Sequence, residues 1–417
     1  MEPDRELLES RHTGSGRSEA RLRYRLGVYV DAVYHLAEEG PQKRISTDRS
    51  FLLFVSEVGQ RFDALVIFGR TVRGREPSEY VLPAGVELVA LPHYSNLREI
   101  GEVLGALGGT AVGFWRGLRH VDAVWAFGPH PLAVLLVCLA LARRKHVVLG
   151  VRQNSVDLYN SRIRGWKRVP SVALVRLLDG LYRLLARRLP VTVQGTELAG
   201  RYGGARPGLL TMNESVVRER DLAPGLSGEP WPEQVKLLTV GRLDPEKNPP
   251  LLLEALARLD ADDPNRFRLA WVGRGPLEET VHRRASELGV DDLIEFHGYV
   301  PFDQGLLDLY RRADVFVHVS LTEGVPKVLI EALATATPIV ATDVGGVRAA
   351  MRDGAVALLV PPDDLASLVQ AVRRVASDPE LREALVAAGL ELARDMTLEA
   401  QAGGVVRFID AALNGSE

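Results

Sequence analysis

Two glutamates, Glu323 and Glu331, frame the stretch Glu-Gly-Val-Pro-Lys-Val-Leu-Ile-Glu. Glu323 follows an apolar run, Val315 to Ser320, that reads as a buried strand. Glu331 stands in the helical run behind it, Val328 to Ala334. Between them, backbone amides converge near a helix N-terminus, a ready anion site. One carboxylate can meet a neutral polyol there, and the other can grip vicinal hydroxyls. A ligand carrying a sugar, a diphosphate and a ribose fits this layout. The spacing alone is common by chance; its place between strand and helix gives the pair meaning.

The elements that must position these residues alternate. Strand-like runs recur at 235–240, 268–273, 293–298, 315–320, 338–342 and 355–360, with helical patterns at 249–259, 277–288, 304–313 and 328–334. The gap over 343–354 is short for a full helix, and two further helices follow, near 365–376 and 380–394. Such alternation predicts a parallel, doubly wound sheet. Ligands bind beyond the carboxyl ends of such strands. Gly241, Arg242 and Lys247 follow the first strand, Gly273 and Gly275 the second, Gly298 closes the third, and Gly345-Gly346 follow the fifth. Glycines permit close backbone approach, while Arg242 and Lys247 supply positive charge for a diphosphate. Read singly, Gly273 and Gly275 could serve a turn and Lys247 a helix start.

Three motifs in this order, GRLDPEKN, GRGPLEE and EGVPKVLIEALATATPIVATDVGG, together resemble family 4 of the retaining glycosyltransferases. That resemblance covers about 120 residues of the second half. It implies the GT-B fold, an α/β architecture of two Rossmann-like doubly wound parallel-sheet domains with an interdomain cleft. It also implies that Arg242 and Lys247 bind the donor diphosphate and stabilise the departing nucleotide. Glu331 would hold the ribose hydroxyls, and Glu323 would lie by the donor sugar. Gly324, Val325, Pro326, Lys327 and Val328 would line the donor through their amides, except at Pro326, which has no N–H. Tyr299 and Val300 would border the base. The sugar nucleotide is a co-substrate, and no further cofactor is expected. Fixed cations lower the barrier for a leaving phosphate directly, so no metal is expected either. The Asp-x-Asp string at Asp260-Ala261-Asp262 follows a helix and precedes a strand, at the wrong edge of the sheet, and reads as a loop.

The first half has the same character, with strands at 26–30, 64–68, 86–90, 123–127, 146–151, 190–194 and 208–212 and helices at 51–60 and 131–143. It departs from the family pattern. Where a Gly-rich loop usually follows the first strand, Val30-Asp31-Ala32-Val33-Tyr34 stands. Arg44 to Asp48 could substitute for that loop, or simply cap a helix at Thr47 or Asp48. Where a histidine often follows the strand at 146–151, this chain has Arg152 and Gln153. Arg152 is a candidate for a sugar hydroxyl, a phosphate or a charged acceptor, and His130 a candidate for facing the cleft. Arg44, Asp48, His130 and Gln153 are therefore the acceptor-side candidates.

The expected organisation is a mobile tail over 1–20, an acceptor-side domain over 21–218, a hinge over 219–234 and a nucleotide-sugar domain over 235–395. A last helix over 396–417 packs back on the first domain. At 417 residues, two domains are the natural division. The net charge of −3 gives no support to nucleic-acid binding. Charge is uneven, however: 141–190 holds twelve Lys or Arg against two acids. Val172 to Leu189 within it has helical apolar spacing, which suits either peripheral contact with an anionic membrane, a solvated face or an anionic substrate. The longest apolar stretch, Pro131 to Ala142, is too short to span a bilayer, which takes ~20 residues. A single cysteine, Cys138, makes no internal disulfide and reads as a core residue; no secretory signal is visible, so a cytoplasmic setting, at the inner face of a membrane or away from it, is expected.

The resulting expectation is a retaining glycosyltransferase moving a sugar from a UDP- or GDP-sugar to a glycan, lipid-linked or small-molecule hydroxyl. A sugar-nucleotide epimerase, a glycosyl phosphorylase and a degenerate GT-B scaffold stay open as alternatives.

Overall fold

The computed structural model describes residues 21–37, 44–74, 80–94, 100–153, 168–226 and 231–415. The expected tail over 1–20 and part of the expected hinge, 227–230, lie outside them.

Two parallel sheets form. In the first, β1 (Leu22–Ala37), β2 (Arg44–Thr47), β3 (Phe62–Arg73), β4 (Tyr80–Val81), β5 (Glu87–Leu91), β6 (Ala123–Gly128), β7 (His146–Val151), β8 (Val191–Gln194) and β9 (Leu209–Met212) take part. Its parallel order is β5-β3-β1-β6-β7-β8-β9, with β2 and β4 added antiparallel beyond the end of β1. The chain builds outward from β1 through β3 and β5, then returns to β6 on the other side. The order therefore reverses between β1 and β6.

Successive strand residues face opposite sides, and both sides are covered. Tyr29, Val66, Phe68, Val124 and Ala126 pack under one helical layer. This layer comprises α2 (Ile100–Gly117), α3 (Pro131–Ala142), α4 (Arg168–Ala186) and α5 (Gly195–Arg201). Val28, Leu65, Ile67, Trp125 and Phe127 face α1 (Phe51–Gly59) and the last helix of the chain.

The second sheet joins β10 (Val235–Val240), β11 (Phe267–Val272), β12 (Ile294–Gly298), β13 (Val315–His318), β14 (Ile339–Thr342) and β15 (Leu358–Val360). Its order is β12-β11-β10-β13-β14-β15, all parallel, and it reverses between β10 and β13. Its helices are α6 (Pro249–Asp262), α7 (Glu278–Leu288), α8 (Gln304–Arg312), α9 (Lys327–Ala334), α10 (Val347–Ala350), α11 (Leu365–Ser377) and α12 (Pro379–Asp395). Local chemistry starts them: proline opens α6 and α12, and Asp303, Asp364 and Asp378 accept backbone N–H groups ahead of α8, α11 and α12.

Helix α13 (Leu398–Asn414) crosses back and buries Leu398, Val405, Val406, Ile409 and Leu413 in the first domain's core. At roughly 1.5–3 kcal/mol for each large apolar side chain, this contact fastens the chain's end firmly. Arg218 adds ion pairs to Glu57 and Glu399, both at 3.1 Å.

Five readings change. Val30 to Tyr34 is strand, not loop: β1 runs on to Ala37, and its register against β3 slips between Tyr29 and Val33. Arg44 to Thr47 is strand β2 rather than a substitute phosphate loop, paired with β1, and Thr47 Oγ1 donates to Val33 O at 2.9 Å. The residue preceding α1 is Ser50, so neither Thr47 nor Asp48 caps it. Asp260 to Asp262 closes α6, where Asp262 pairs with Arg258 and Arg373. Cys138 is exposed on α3, not in the core.

Candidate active site

Each strand of the second sheet ends in a loop pressed against its neighbour's. Gly273 N donates to Gly298 O at 2.7 Å, Leu243 N to Arg274 O at 3.1 Å, and Leu321 N to Glu246 O at 2.8 Å. Two glycines make this possible. Gly273 has φ +139, and a Cβ there would sit 1.8 Å from Gly241 O. Gly345 has φ +52, and a Cβ would fall 2.0 Å from Glu323 O. Only glycine fits either place. Gly275 lies as close to Leu243, and Gly298 lies against Arg274. The backbone thus forms a thin floor that a ligand can approach.

Charged groups gather over the reversal between β10 and β13. Lys247, brought round by the turn after β10, pairs with Glu323 Oε1. Ser320 Oγ donates to the same oxygen at 2.8 Å, and His318 Nε2 lies 3.2 Å away, near enough for an ion pair but off hydrogen-bond alignment. Burial alone would push the Glu323 carboxyl up, but His318 and Lys247 overcome it and hold it down at about 2. Glu323 is therefore a fixed anion with Oε1 occupied. Arg242 is 70% exposed and tethered by Asp244 at 2.6 Å, so it can swing to an arriving anion. Thr239, Gly241, Arg242, Lys247, Trp271, His318 and Ser320 line a small pocket here. A larger open depression near Trp231, Glu233, Asp263 and Arg266 lies at the amino-terminal edge of the sheet, away from these groups.

Glu331 sits on α9 and is almost fully buried; Tyr310 donates to its Oε2 at 2.9 Å. Burial pushes its carboxyl up to about 7, with Tyr310 and Lys327 opposing. Between the unfolded value, about 4.3, and 7, the folded protein holds a proton the unfolded chain has released. Stability must therefore fall as pH rises through that window. Glu331→Gln is expected to remove most of that slope, as read by denaturant unfolding from pH 4 to 8.

Gly324 and Val325 lead into α9, which starts at Lys327 behind Pro326; Val328 is half-buried. Tyr299 is 60% exposed and Val300 half-buried, just past β12.

Both domains meet at Lys327. Its Nζ lies 3.3 Å from Glu214 and 3.5 Å from Ser50 Oγ, while Val325 meets Gly195. Arg152 grips Glu214 with two nitrogens, one at 2.7 Å, and lies over the Phe51 ring at 4.0 Å. With its nitrogen turned inward, Gln194 donates to Arg152 O at 3.0 Å and Glu214 Oε1 at 3.2 Å. Burial alone would raise the Glu214 carboxyl, but Arg152 and then Lys327 hold it below its ordinary value. Arg152 is thus committed to a buried partner, where the sequence suggested a group free for substrate. Gln153 and Asp48 are exposed beside strand ends; the Arg44 side chain lies outside the described residues.

His130 precedes α3 and is buried among polar groups. Its Nδ1 accepts from Leu132 N–H at 3.3 Å and lies 3.2 Å from Tyr29 Oη; its Nε2 lies 3.6 Å from Asp31 and 3.4 Å from Tyr94 Oη. Burial lowers its pKa, and Asp31 only partly offsets that. Arg70 pairs with Asp31 at 2.9 Å. Glu214, Asp31, Arg70 and Tyr310 were not legible as site residues. His318 and Ser320 could have been found, since both lie in the apolar run that ends at Glu323.

Among the described residues, no group of three or more His, Cys, Asp and Glu gathers as a metal site would require.

Residues 229–391 match the family described as glycosyl transferases group 1. A D-inositol 3-phosphate glycosyltransferase of Geodermatophilus obscurus is 42% identical over 160 residues, 36% of this chain and 35% of that protein. One of Thermomonospora curvata is 38% identical over 235 residues, 54% of this chain and 52% of that protein. The matches thus span about a third to a half of these curated relatives. Over the whole chain the likeness is one of fold. A glycosyltransferase of Rickettsia africae superposes with TM-score 0.66 at 14% identity, covering 94% of this chain and all of that one. Anabaena HepE, solved with UDP and glucose, gives 0.64 at 13% identity, covering 93% and 100%. Residues 229–391, which carry the linked motifs, thus belong to the glycosyl transferases group 1 family, and the chain as a whole has the two parallel-sheet domains of the GT-B fold.

Proposed function

We propose that this chain transfers a sugar from a UDP- or GDP-sugar to a hydroxyl of a glycan, lipid-linked or small-molecule acceptor, with retention and without a metal ion. The observation that carries this reading is the Lys247–Glu323 pair at the reversal of the second sheet, with Arg242 beside it. Cleaving a sugar–diphosphate bond leaves charge on phosphate, and two cations stand where an open sheet binds its ligand. Glu331, eight residues beyond Glu323 and one turn into α9, suits a ribose diol. A uracil nucleotide is the first to test, because HepE was solved with UDP and with UDP-glucose.

Calorimetry with UDP, GDP, ADP and their sugar conjugates, with and without EDTA, tests the donor reading. Binding of one nucleotide, unchanged by EDTA, is expected; binding only with a divalent ion would overturn metal independence. Proton NMR of the transferred sugar's anomeric centre tests retention. Nucleotide binding with no transfer to any acceptor would favour the scaffold.

The protein would also meet an anionic membrane peripherally. In support, Trp115 on α2, Leu141 on α3 and Leu174, Leu177 and Leu184 on α4 are exposed on one helical layer. Arg176, Arg183, Arg187 and Arg188 are exposed among them, and Arg143 stacks on Trp115 at 3.7 Å. Apolar tips among cations are what an anionic interface takes. Among the described residues, no helix is long and apolar enough to cross a membrane. Co-sedimentation with phosphatidylglycerol vesicles is expected, with little binding to phosphatidylcholine. Leu177→Asp is expected to weaken it roughly ten-fold, the scale of one buried leucine. Equal binding to both vesicles would overturn the reading.

A further inference from the structure

The reversal in strand order marks the ligand crevice of an open parallel sheet, and this chain has two such reversals. The one between β10 and β13 holds the proposed donor groups. The other lies between β1 and β6. Asp31 stands at it on the β1 side, within the stretch where the register against β3 slips, and His130 stands on the β6 side. Val28, Ala32 and Tyr34 pack on the side of α1, and the alternation of the strand leaves Asp31 on the opposite side with Tyr29.

Its surroundings are built and buried. Arg70 binds one carboxylate oxygen at 2.9 Å, and the Tyr94 hydroxyl donates to the same oxygen at 3.3 Å. His130 Nε2 lies 3.6 Å from the other. Arg70 is further fixed by donation to Tyr94 O at 2.7 Å and by its stacking on the Tyr94 ring, 4.2 Å from the centroid. The side chains of Arg70 and His130 are only 9% and 12% exposed, whereas that of Asp31 is 36% exposed. A carboxylate held rigidly from behind and open in front is an acceptor for hydroxyl donors. It repels a phosphate, because the guanidinium behind it is already paired.

We propose that Asp31, oriented by Arg70 and His130, binds hydroxyls of a neutral polyol or sugar acceptor at the first domain's strand reversal. This assignment rests on the transferase reading and names the acceptor chemistry for it. It departs from the relatives at one point: D-inositol 3-phosphate, in their name, is an anion, and at Asp31 this chain selects against an anionic group.

The test uses the full chain saturated with whichever nucleotide calorimetry identifies. A panel of free hexoses and cyclic polyols, each with its monophosphate, is screened by saturation-transfer NMR, and hits are titrated. At least one neutral member is expected to bind. Asp31→Asn should weaken it ten-fold or more, Asp31→Glu should do less harm, and nucleotide affinity should stay within two-fold in both. The assignment is overturned if Asp31→Asn leaves the hit's affinity unchanged, if no neutral member binds the nucleotide-loaded protein, or if monophosphates bind the unaltered chain more tightly. Loss of nucleotide binding in Asp31→Asn would also overturn it, by placing Asp31 at the donor. If no nucleotide binds the unaltered chain, the donor reading fails instead, and the same panel run on the free protein still decides Asp31.

Discussion

Lys247→Met is expected to lower the turnover of sugar transfer by about 10²–10³, the scale seen when one preorganised donor to a developing oxyanion is removed. Lys247 is well placed for such an effect. Its side chain is 29% exposed and its ammonium is pinned to Glu323, whose side chain is 13% exposed, so the charge acts in a partly shielded site. Arg242, at 70% exposure, is freer and better hydrated; Arg242→Met should mainly weaken nucleotide binding. Single-turnover kinetics at saturating donor separates the two. A turnover loss of less than five-fold for Lys247→Met would mean that the lysine only steadies the loop. The same substitution has a second signature. Glu323 is held down at about 2 by His318 and Lys247 against its burial. A depressed carboxyl stabilises the fold above its unfolded value, about 4.3, and that stability is lost as pH falls toward 2. Without Lys247 the folded value rises, so the variant should lose stability at a higher pH during acid unfolding.

The second domain was legible because each of its strands is a short apolar run whose chemistry follows within a few residues. Local order alone placed Gly241, Arg242, Gly273, Gly298 and Glu323 at one edge. The first domain hid its site in two ways. Asp31 lies in Val-Asp-Ala-Val-Tyr, which reads as a loop unless the hairpin of β1 with β2 is known. Glu214 had no signal of its own. Its partner Arg152 lies 62 residues earlier and its other partner, Lys327, in the opposite domain. Only the sheet order, with β7, β8 and β9 side by side, brings Arg152, Gln194 and Glu214 together. Burial of a charge depends on what closes over it, and here the second domain does.

That burial makes Arg152 the sharper structural test. Glu214 is 2% exposed, while Arg152 and Lys327 are near 30%. Removing Arg152 leaves a carboxylate in the interior with one ammonium at 3.3 Å. Breaking one partner of a buried ion pair typically costs about 3–5 kcal/mol, because the remaining charge is left uncompensated. Arg152→Ala is expected near the lower figure, since Lys327 remains. Glu214→Ala removes the buried charge itself and leaves two cations with access to water, so it should cost less. Arg152→Met combined with Glu214→Leu should cost less than Arg152→Ala alone, because nothing charged stays buried. Urea unfolding of the three variants at pH 7 gives the order. The Arg152→Ala deficit should shrink below about pH 4, where a carboxyl no longer held down takes up its proton. If Arg152→Ala leaves stability unchanged yet abolishes transfer, Arg152 serves the substrate. If it destabilises in the stated order, its place is in the interdomain contact, and the cleft wall depends on Glu214 holding Arg152 and Lys327 together.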